Sequence, residues 1–375
     1  MSDRIDLLIA CVDYPTEHSH SMQYVHVRNL EYVKNGINVK VLNFSSKEKY
    51  LLDGIEVVPL ESVTSDIADF NNYILICHAP NIRMHYRFLQ RYGSHFKKII
   101  FFFHGHEIVK TNNLYPKPYN FIKRSLFKRF FVSVYDTVKI YLWRMYFKKR
   151  NKASPLVFVS NSLKNDFFQY LNKDEQETLD KRIHIIHNGI SLTFERNQYD
   201  FNCKKTYDFI TIRSNLDSSV YCVDLINEIA KANPDSKFLL IGEGEYFLHN
   251  DKAPNIELVL ETLNQEDLLG YIDQAKFALM PTRRDSQGVM ACELASYGIK
   301  VFTSDLNVCH EMFDSFKNTI LLSDDEFLRY DFSKEIFVEY KDTNTKFYTA
   351  NTIKKEIDLI NKVCGLKEVL LNAQY

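Results

Sequence analysis

Phe277–Asp305 reads FALMPTRRDSQGVMACELASYGIKVFTSD. Phe277, Ala278, Leu279 and Met280 form a short apolar run of the kind buried in a parallel sheet. Pro281 to Gln287 is a polar loop. From Val289 the apolar residues Val289, Met290, Cys292 and Leu294 fall at helical spacing, and Gly298 stands where a helix ends. Ile299 to Thr303 resumes a buried strand. Strand, loop, helix and strand in this order place Asp285 and Glu293 at the carboxyl end of a strand, where open α/β sheets bind ligands. Gly288 lets the backbone approach a ligand closely, and the helix start behind it favours an anion. A surface acidic loop before an ordinary helix is the competing reading.

Upstream, the same alternation recurs. Ile5 to Cys11, Val39 to Phe44, Ile55 to Leu60, Tyr73 to Cys77 and Lys98 to Phe103 read as strands. Tyr24 to Lys34 has helical spacing through Val25, Val27, Leu30 and Val33, and Asn35-Gly36 ends it. Such alternation argues for doubly wound parallel sheets. The loop from Val12 to Gln23 has no Gly, so the dinucleotide fingerprint is absent. His18 and His20 in that loop lack a third ligand and read as solvent-exposed, not as a metal pair. Phe101 to Glu107, FFFHGHE, puts His104 at a strand end before Gly105 and is not a zincin motif; a His satisfied by a backbone carbonyl is the plain reading.

Pro155 to Ser160 and Arg182 to Ile186 are further strands, the second leading into His187-Asn188-Gly189. The polar stretch Ser191 to Tyr207 is the expected linker. Beyond it lie the strand Asp208 to Ile212 with Arg213 after it, and the helix Val223 to Ala230. The strand Lys237 to Ile241 runs into Gly242-Glu243-Gly244; the strand Ile256 to Leu260 and the helix Leu263 to Asp273 follow. A Gly-x-Gly after a strand is weak alone, and position 247 is Phe247.

A chain of 375 residues, 45% hydrophobic and 25% charged, is long enough for two globular domains. A formal net charge of -1 gives no global attraction to nucleic acid. Seven scattered cysteines without CxxC spacing read as reduced core residues, and no signal peptide or membrane span is expected. Charge is uneven: 117–152 carries +10 against -11 in the remainder, interleaved with Phe127, Phe130, Phe131, Tyr141 and Trp143. This composition suits an anionic membrane surface. A helix packing its aromatic face inward is the alternative, and nucleic acid is not expected.

In the order and spacing of these motifs the chain resembles family-4 glycosyltransferases, which have the GT-B fold: two Rossmann-like doubly wound domains facing a central cleft. The resemblance implies an acceptor-binding domain at 1–190, a nucleotide-sugar-binding domain at 191–350, and a terminal helix near 351–375 that crosses back. The family's Glu, seven residues, Glu pattern appears with Asp285 in place of the first Glu and Glu293 as the second. The resemblance makes His104, Asp285 and Arg213 the catalytic set, with His104 facing the transferred sugar and Arg213 on the diphosphate. Glu293 would hold the ribose diol. Ser286, Gln287, Gly288, Val289, Gly242, Gly244 and Asn188 complete the donor site. Two departures stand out. Tyr221 occupies the place of a donor-phosphate Lys, leaving Arg283 or Arg284 as substitutes, and His18-Ser19-His20-Ser21 stands where a Gly pair is usual. The implied reaction moves a sugar, with retention, from a nucleotide diphosphate sugar to the hydroxyl of a saccharide or lipid-linked saccharide in cell-surface polysaccharide or glycolipid assembly. No cofactor or essential metal is expected. The expected location is the cytoplasm, with peripheral attachment to the inner membrane face. A non-catalytic partner subunit, favoured by the missing Lys and Gly pair, and a sugar-nucleotide epimerase of the same fold are the alternatives.

Overall fold

The computed structural model describes residues 5–16, 22–67, 69–123, 125–150, 153–261, 263–340 and 344–365. The chain forms two compact units. One comprises Met1–Lys110, Tyr135–Gly189 and Thr349–Tyr375; the other comprises Thr111–Val134 and Ile190–Tyr348. The segment Thr111–Val134 thus groups with the later half of the chain.

The first unit is built on an eight-stranded sheet. Its strands are β1 (Asp6–Cys11), β2 (Asn38–Asn43), β3 (Tyr50–Leu52), β4 (Ile55–Pro59), β5 (Tyr73–His78), β6 (Lys98–Phe103), β7 (Leu156–Phe158) and β8 (Ile183–Ile185), in the order β3-β4-β2-β1-β5-β6-β7-β8. All neighbours pair in parallel except the hairpin β3–β4. That hairpin turns on Asp53-Gly54, both with positive φ, the pairing a two-residue hairpin loop demands. Leu7 to Cys11 are fully buried, because helical crossovers cover both faces of a parallel sheet.

The helix Gln23–Lys34 packs Val25, Val27 and Leu30 on the core as its apolar spacing suggests, but it buries polar side chains as well. Val33 is exposed, whereas His26, Arg28, Asn29 and Glu31 are buried beside Val25 and Tyr32. Pairing makes this tolerable. His26 lies 2.7 Å from the Tyr14 hydroxyl and 2.9 Å from Asp53, while Asn29 donates to the Tyr14 oxygen. Arg28 meets Glu356 of the last helix, Ile353–Cys364.

The second unit holds a six-stranded parallel sheet. Its strands are β9 (Tyr207–Asn215), β10 (Phe238–Glu243), β11 (Ile256–Val259), β12 (Ala275–Met280), β13 (Lys300–Ser304) and β14 (Thr319–Leu322), in the order β11-β10-β9-β12-β13-β14. From β9 the chain moves outward to β11, then returns to β12 on the other side of β9. The topological switch point therefore lies between β9 and β12, and its crevice opens at their carboxyl ends. The helix Val289–Tyr297 follows β12 and ends at Gly298, whose φ of 110° suits glycine.

Candidate functional site

Arg213 lies on β9 itself, near its carboxyl end, because that strand runs three residues beyond the expected Ile212. Its side chain is 7% exposed. Nη2 donates to the Pro281 carbonyl at 2.7 Å, and the guanidinium sits over the Tyr221 ring at 4.9 Å. Its Nε is buried with no hydrogen-bond partner. Burial lowers the pKa of Arg213, opposed first by the charge of Asp285. A buried guanidinium with an open donor, at the switch point, is primed to receive an anion.

The Asp285 loop is organised from within. Asp285 Oδ1 accepts the backbone N–H groups of Ser286 at 2.8 Å, Gln287 at 3.1 Å and Gly288 at 2.7 Å. The amides at 286–288, expected to face an anion, are thus already engaged by a side chain of the same loop. Gly288 precedes the helix at φ 76° and provides no side-chain cap. The amides that open the helix from Val289 onward are then the dipole end presented to a ligand.

Glu293 is 6% exposed, and its Oε1 accepts the Ser191 N–H at 3.1 Å. Burial pushes its carboxyl from 4.5 up to about 7, against the opposing pull of Ser191. Between those values the folded state binds more protons than the unfolded one, so stability falls as pH rises from about 4.5 to about 7. At 1.36 kcal/mol per unit the loss is on the order of 3 kcal/mol. Glu293→Gln should remove that part of the slope, as calorimetric unfolding midpoints from pH 5 to 8 will test; an unaltered slope would place the titration elsewhere.

Gly242 and Gly244 serve packing. Both have φ of 149°; a Cβ on Gly242 would lie 1.8 Å from the Arg213 carbonyl oxygen, and one on Gly244 would lie 2.9 Å from Asp217 Oδ1. Only glycine lets β10 and the residue after it pass this close to β9 and the segment leaving it. Their effect on Arg213 runs through the backbone.

Of the two cations considered for the place of the missing Lys, Arg283 is committed elsewhere. It grips Asp224 with two bonds of 2.9 and 2.8 Å and donates to the Ser219 carbonyl at 3.0 Å. This pairing lowers the Asp224 pKa against the cost of burial. Tyr119 also donates to Asp224, at 2.9 Å. Arg284 lies over the Tyr115 ring at 5.9 Å. Tyr221 itself packs on Arg213.

In the first unit, His104 follows β6 and its Nε2 lies 3.1 Å from Nδ1 of His78, the last residue of β5. Burial pushes both imidazoles well below the usual histidine range; His104 is next most affected by the Arg28 charge. His104 also meets the Tyr24 ring at 4.7 Å. Asn188, read as a donor contact, accepts from Arg28 Nη2 at 2.7 Å in this same unit. His78, Arg28, Tyr24 and Glu356 are neighbours of the site that sequence reasoning missed; nothing local in the sequence marks residues so far apart.

His18 and His20 lie outside the described residues. Among the described residues no group of three or more His, Cys, Asp or Glu could hold a metal ion, and no helix is long and apolar enough to cross a membrane. Within the basic stretch, the helix Leu126–Met145 buries Ile140 and Trp143 but exposes Phe127, Phe130, Phe131, Val134, Val138 and Tyr141. These fall three or four apart, along one side.

No protein-family model matches the chain, and a search of curated proteins finds no match. Solved structures do match. Sucrose-phosphate synthase from Thermosynechococcus elongatus aligns at TM-score 0.67 and 11% identity, over 96% of this chain and 100% of that one. WaaG, a glycosyltransferase involved in lipopolysaccharide biosynthesis, aligns at 0.58 and 12%, over 86% and 88%. The catalytic domain of starch synthase IV from Arabidopsis thaliana, bound to ADP and acarbose, aligns at 0.58 and 11%, over 96% and 99%. The chain has the GT-B fold of these enzymes.

Proposed function

We propose that the protein is a retaining glycosyltransferase of the family-4 type that moves a sugar from a nucleoside diphosphate sugar to an acceptor hydroxyl. The observation that carries this reading is Arg213, buried at the switch point with an unpartnered Nε beside the uncapped start of the helix Val289–Tyr297. As the glycosidic bond breaks, negative charge grows on the departing diphosphate. A fixed guanidinium and a helix N-terminus stabilise that charge without reorganising. They take the part a metal ion would otherwise fill. Asp285 offers its second oxygen to a donor-sugar hydroxyl, and Glu293 the ribose diol. His104, kept neutral by burial, is a hydrogen-bonding group for the transferred sugar. The structural neighbour bound to ADP and the neighbour in lipopolysaccharide biosynthesis support a nucleotide donor and a cell-surface acceptor. Incubation with UDP-, GDP- and ADP-sugars, following released nucleoside diphosphate, tests the proposal. Release from one donor, raised by acceptor, is expected. Nucleotide binding without release from any donor would favour a non-catalytic partner subunit, the reading that Tyr221 in the place of a Lys supports.

Glu293→Ala should weaken donor-nucleotide binding by roughly 1–3 kcal/mol, the scale for hydrogen bonds to a charged group. Calorimetric titration measures this, and unchanged affinity removes Glu293 from the site.

The acceptor is proposed to be lipid-linked and met at the inner face of a membrane. Phe127, Phe130 and Phe131 are 77%, 64% and 66% exposed, on a helix that also carries Lys128 and Arg129. Aromatic side chains among cations suit the headgroup boundary of an anionic bilayer. Sedimentation with vesicles containing phosphatidylserine should show binding that weakens with salt, since charges are screened beyond about 8–10 Å at 0.1–0.15 M. Changing the three Phe residues to Ser should abolish it. Equal binding by that variant would contradict the assignment.

A further inference from the structure

Arg28 is 2% exposed and uses its guanidinium on three elements. Nη1 donates to the Tyr24 carbonyl of its own helix at 2.9 Å. Nε donates to Glu356 of the last helix at 2.9 Å, and Nη2 to Asn188, beyond β8, at 2.7 Å. Glu356 is fully buried, and its other oxygen accepts the Tyr32 hydroxyl at 2.6 Å. Burial works against the Arg28 charge, but Glu356 together with Tyr32 and Tyr24 outweighs it and the pKa is raised. Apolar residues of the same volume commonly stabilise a core as well as a buried ion pair does. What the pair adds is geometry, since a planar fork fixes every group it touches.

The groups so fixed surround His104. The Tyr24 ring lies 5.7 Å from the Arg28 guanidinium and 4.7 Å from the His104 ring. Asn188 is held by Arg28 and also adjoins His104. On a third side stands His78, fully buried, with Nδ1 3.1 Å from His104 Nε2. Two neutral imidazoles at that separation share one hydrogen, so one donates and the other accepts. The tautomers of the two rings are therefore coupled, and because His78 Nε2 and His104 Nδ1 make no hydrogen bond among the described residues, the groups packed around the rings decide between the two arrangements.

We propose that Arg28, anchored by Glu356, is the positioning residue of His104: it fixes Tyr24 and Asn188 beside the imidazole, whose Nε2 faces His78. For its effect on turnover this inference rests on the reading of His104 as a sugar-facing group; its structural half concerns the free protein.

The test uses the full chain carrying 15N-histidine. Two-bond 1H–15N spectra report the tautomer of each ring, with the His104 signals assigned by their loss in His104→Gln. The wild type should show His104 as one neutral tautomer. In the double variant Arg28→Met/Glu356→Leu, which replaces the ion pair with apolar side chains, the His104 signals should shift to a mixture of tautomers. Turnover should fall on the order of 10²-fold, the scale for misplacing a reacting group, with the donor KM little changed. If the double variant does not fold, Arg28→Lys keeps a charge opposite Glu356, loses the fork to Asn188 and carries the same readout. An unaltered His104 tautomer in the folded variant overturns the proposal, whatever the activity. An altered tautomer supports it, and unchanged turnover alongside would show that the assignment of His104 to the sugar has failed instead.

Discussion

Arg213→Ala is expected to lower kcat on the order of 10²–10³-fold, the scale for removing one preorganised donor from a developing oxyanion. The loss should fall on kcat more than on KM, because diphosphate charge is larger in the transition state than in the bound donor. Arg283→Ala is the informative contrast. Arg283 is spent on Asp224 and the Ser219 carbonyl, so its removal takes away a partly exposed ion pair and leaves the diphosphate cation in place. Turnover should then stay within a few-fold of wild type. Circular dichroism on both variants separates catalytic loss from unfolding, a necessary control because Arg213 also braces Pro281 and Tyr221. Full turnover in Arg213→Ala would remove Arg213 from the chemistry.

Arg28→Ala should destabilise the protein by about 3–5 kcal/mol, because Glu356 would remain charged and buried without its partner. Glu356→Ala should cost a similar amount from the other side. The double variant Arg28→Met/Glu356→Leu should recover most of either loss, since the desolvation penalty disappears with both charges. Urea unfolding of the wild type, Arg28→Met, Glu356→Leu and the double variant gives the coupling directly. Additive single effects would mean that the two side chains do not depend on each other, contrary to their 2.9 Å contact.

The strand, loop and helix around Asp285 were legible because their signals are local: an apolar run, polar punctuation, helical spacing and Gly298 within thirty residues. The order of motifs from Pro155 to Asp305 likewise pointed to the architecture observed. Less legible were contacts between distant parts. The helix Gln23–Lys34 packs Val25, Val27 and Leu30 on the core as their spacing suggests, but the burial of His26, Arg28 and Asn29 rests on partners at Tyr14, Asp53 and Glu356. Nothing in a window of twelve residues announces a partner 328 positions away. The short strand β3 has three residues, too few for a periodicity, and only Asp53-Gly54 marks its hairpin in the sequence. Arg283 and Arg284 look alike in sequence; only the position of Asp224 tells them apart. The Asp285 loop shows the same limit at short range. Its amides were legible as anion donors, yet the carboxylate that occupies them belongs to the loop.

The central claim is that the switch point between β9 and β12 holds a nucleoside diphosphate through Arg213. Isothermal titration of the wild-type protein and Arg213→Ala with UDP, GDP and ADP tests it most directly. The account predicts that one of the three binds the wild type and that its affinity falls at least about tenfold in Arg213→Ala, as loss of a charge-assisted hydrogen bond requires. Binding of equal strength in both proteins, or of none of the three to the wild type, would contradict it.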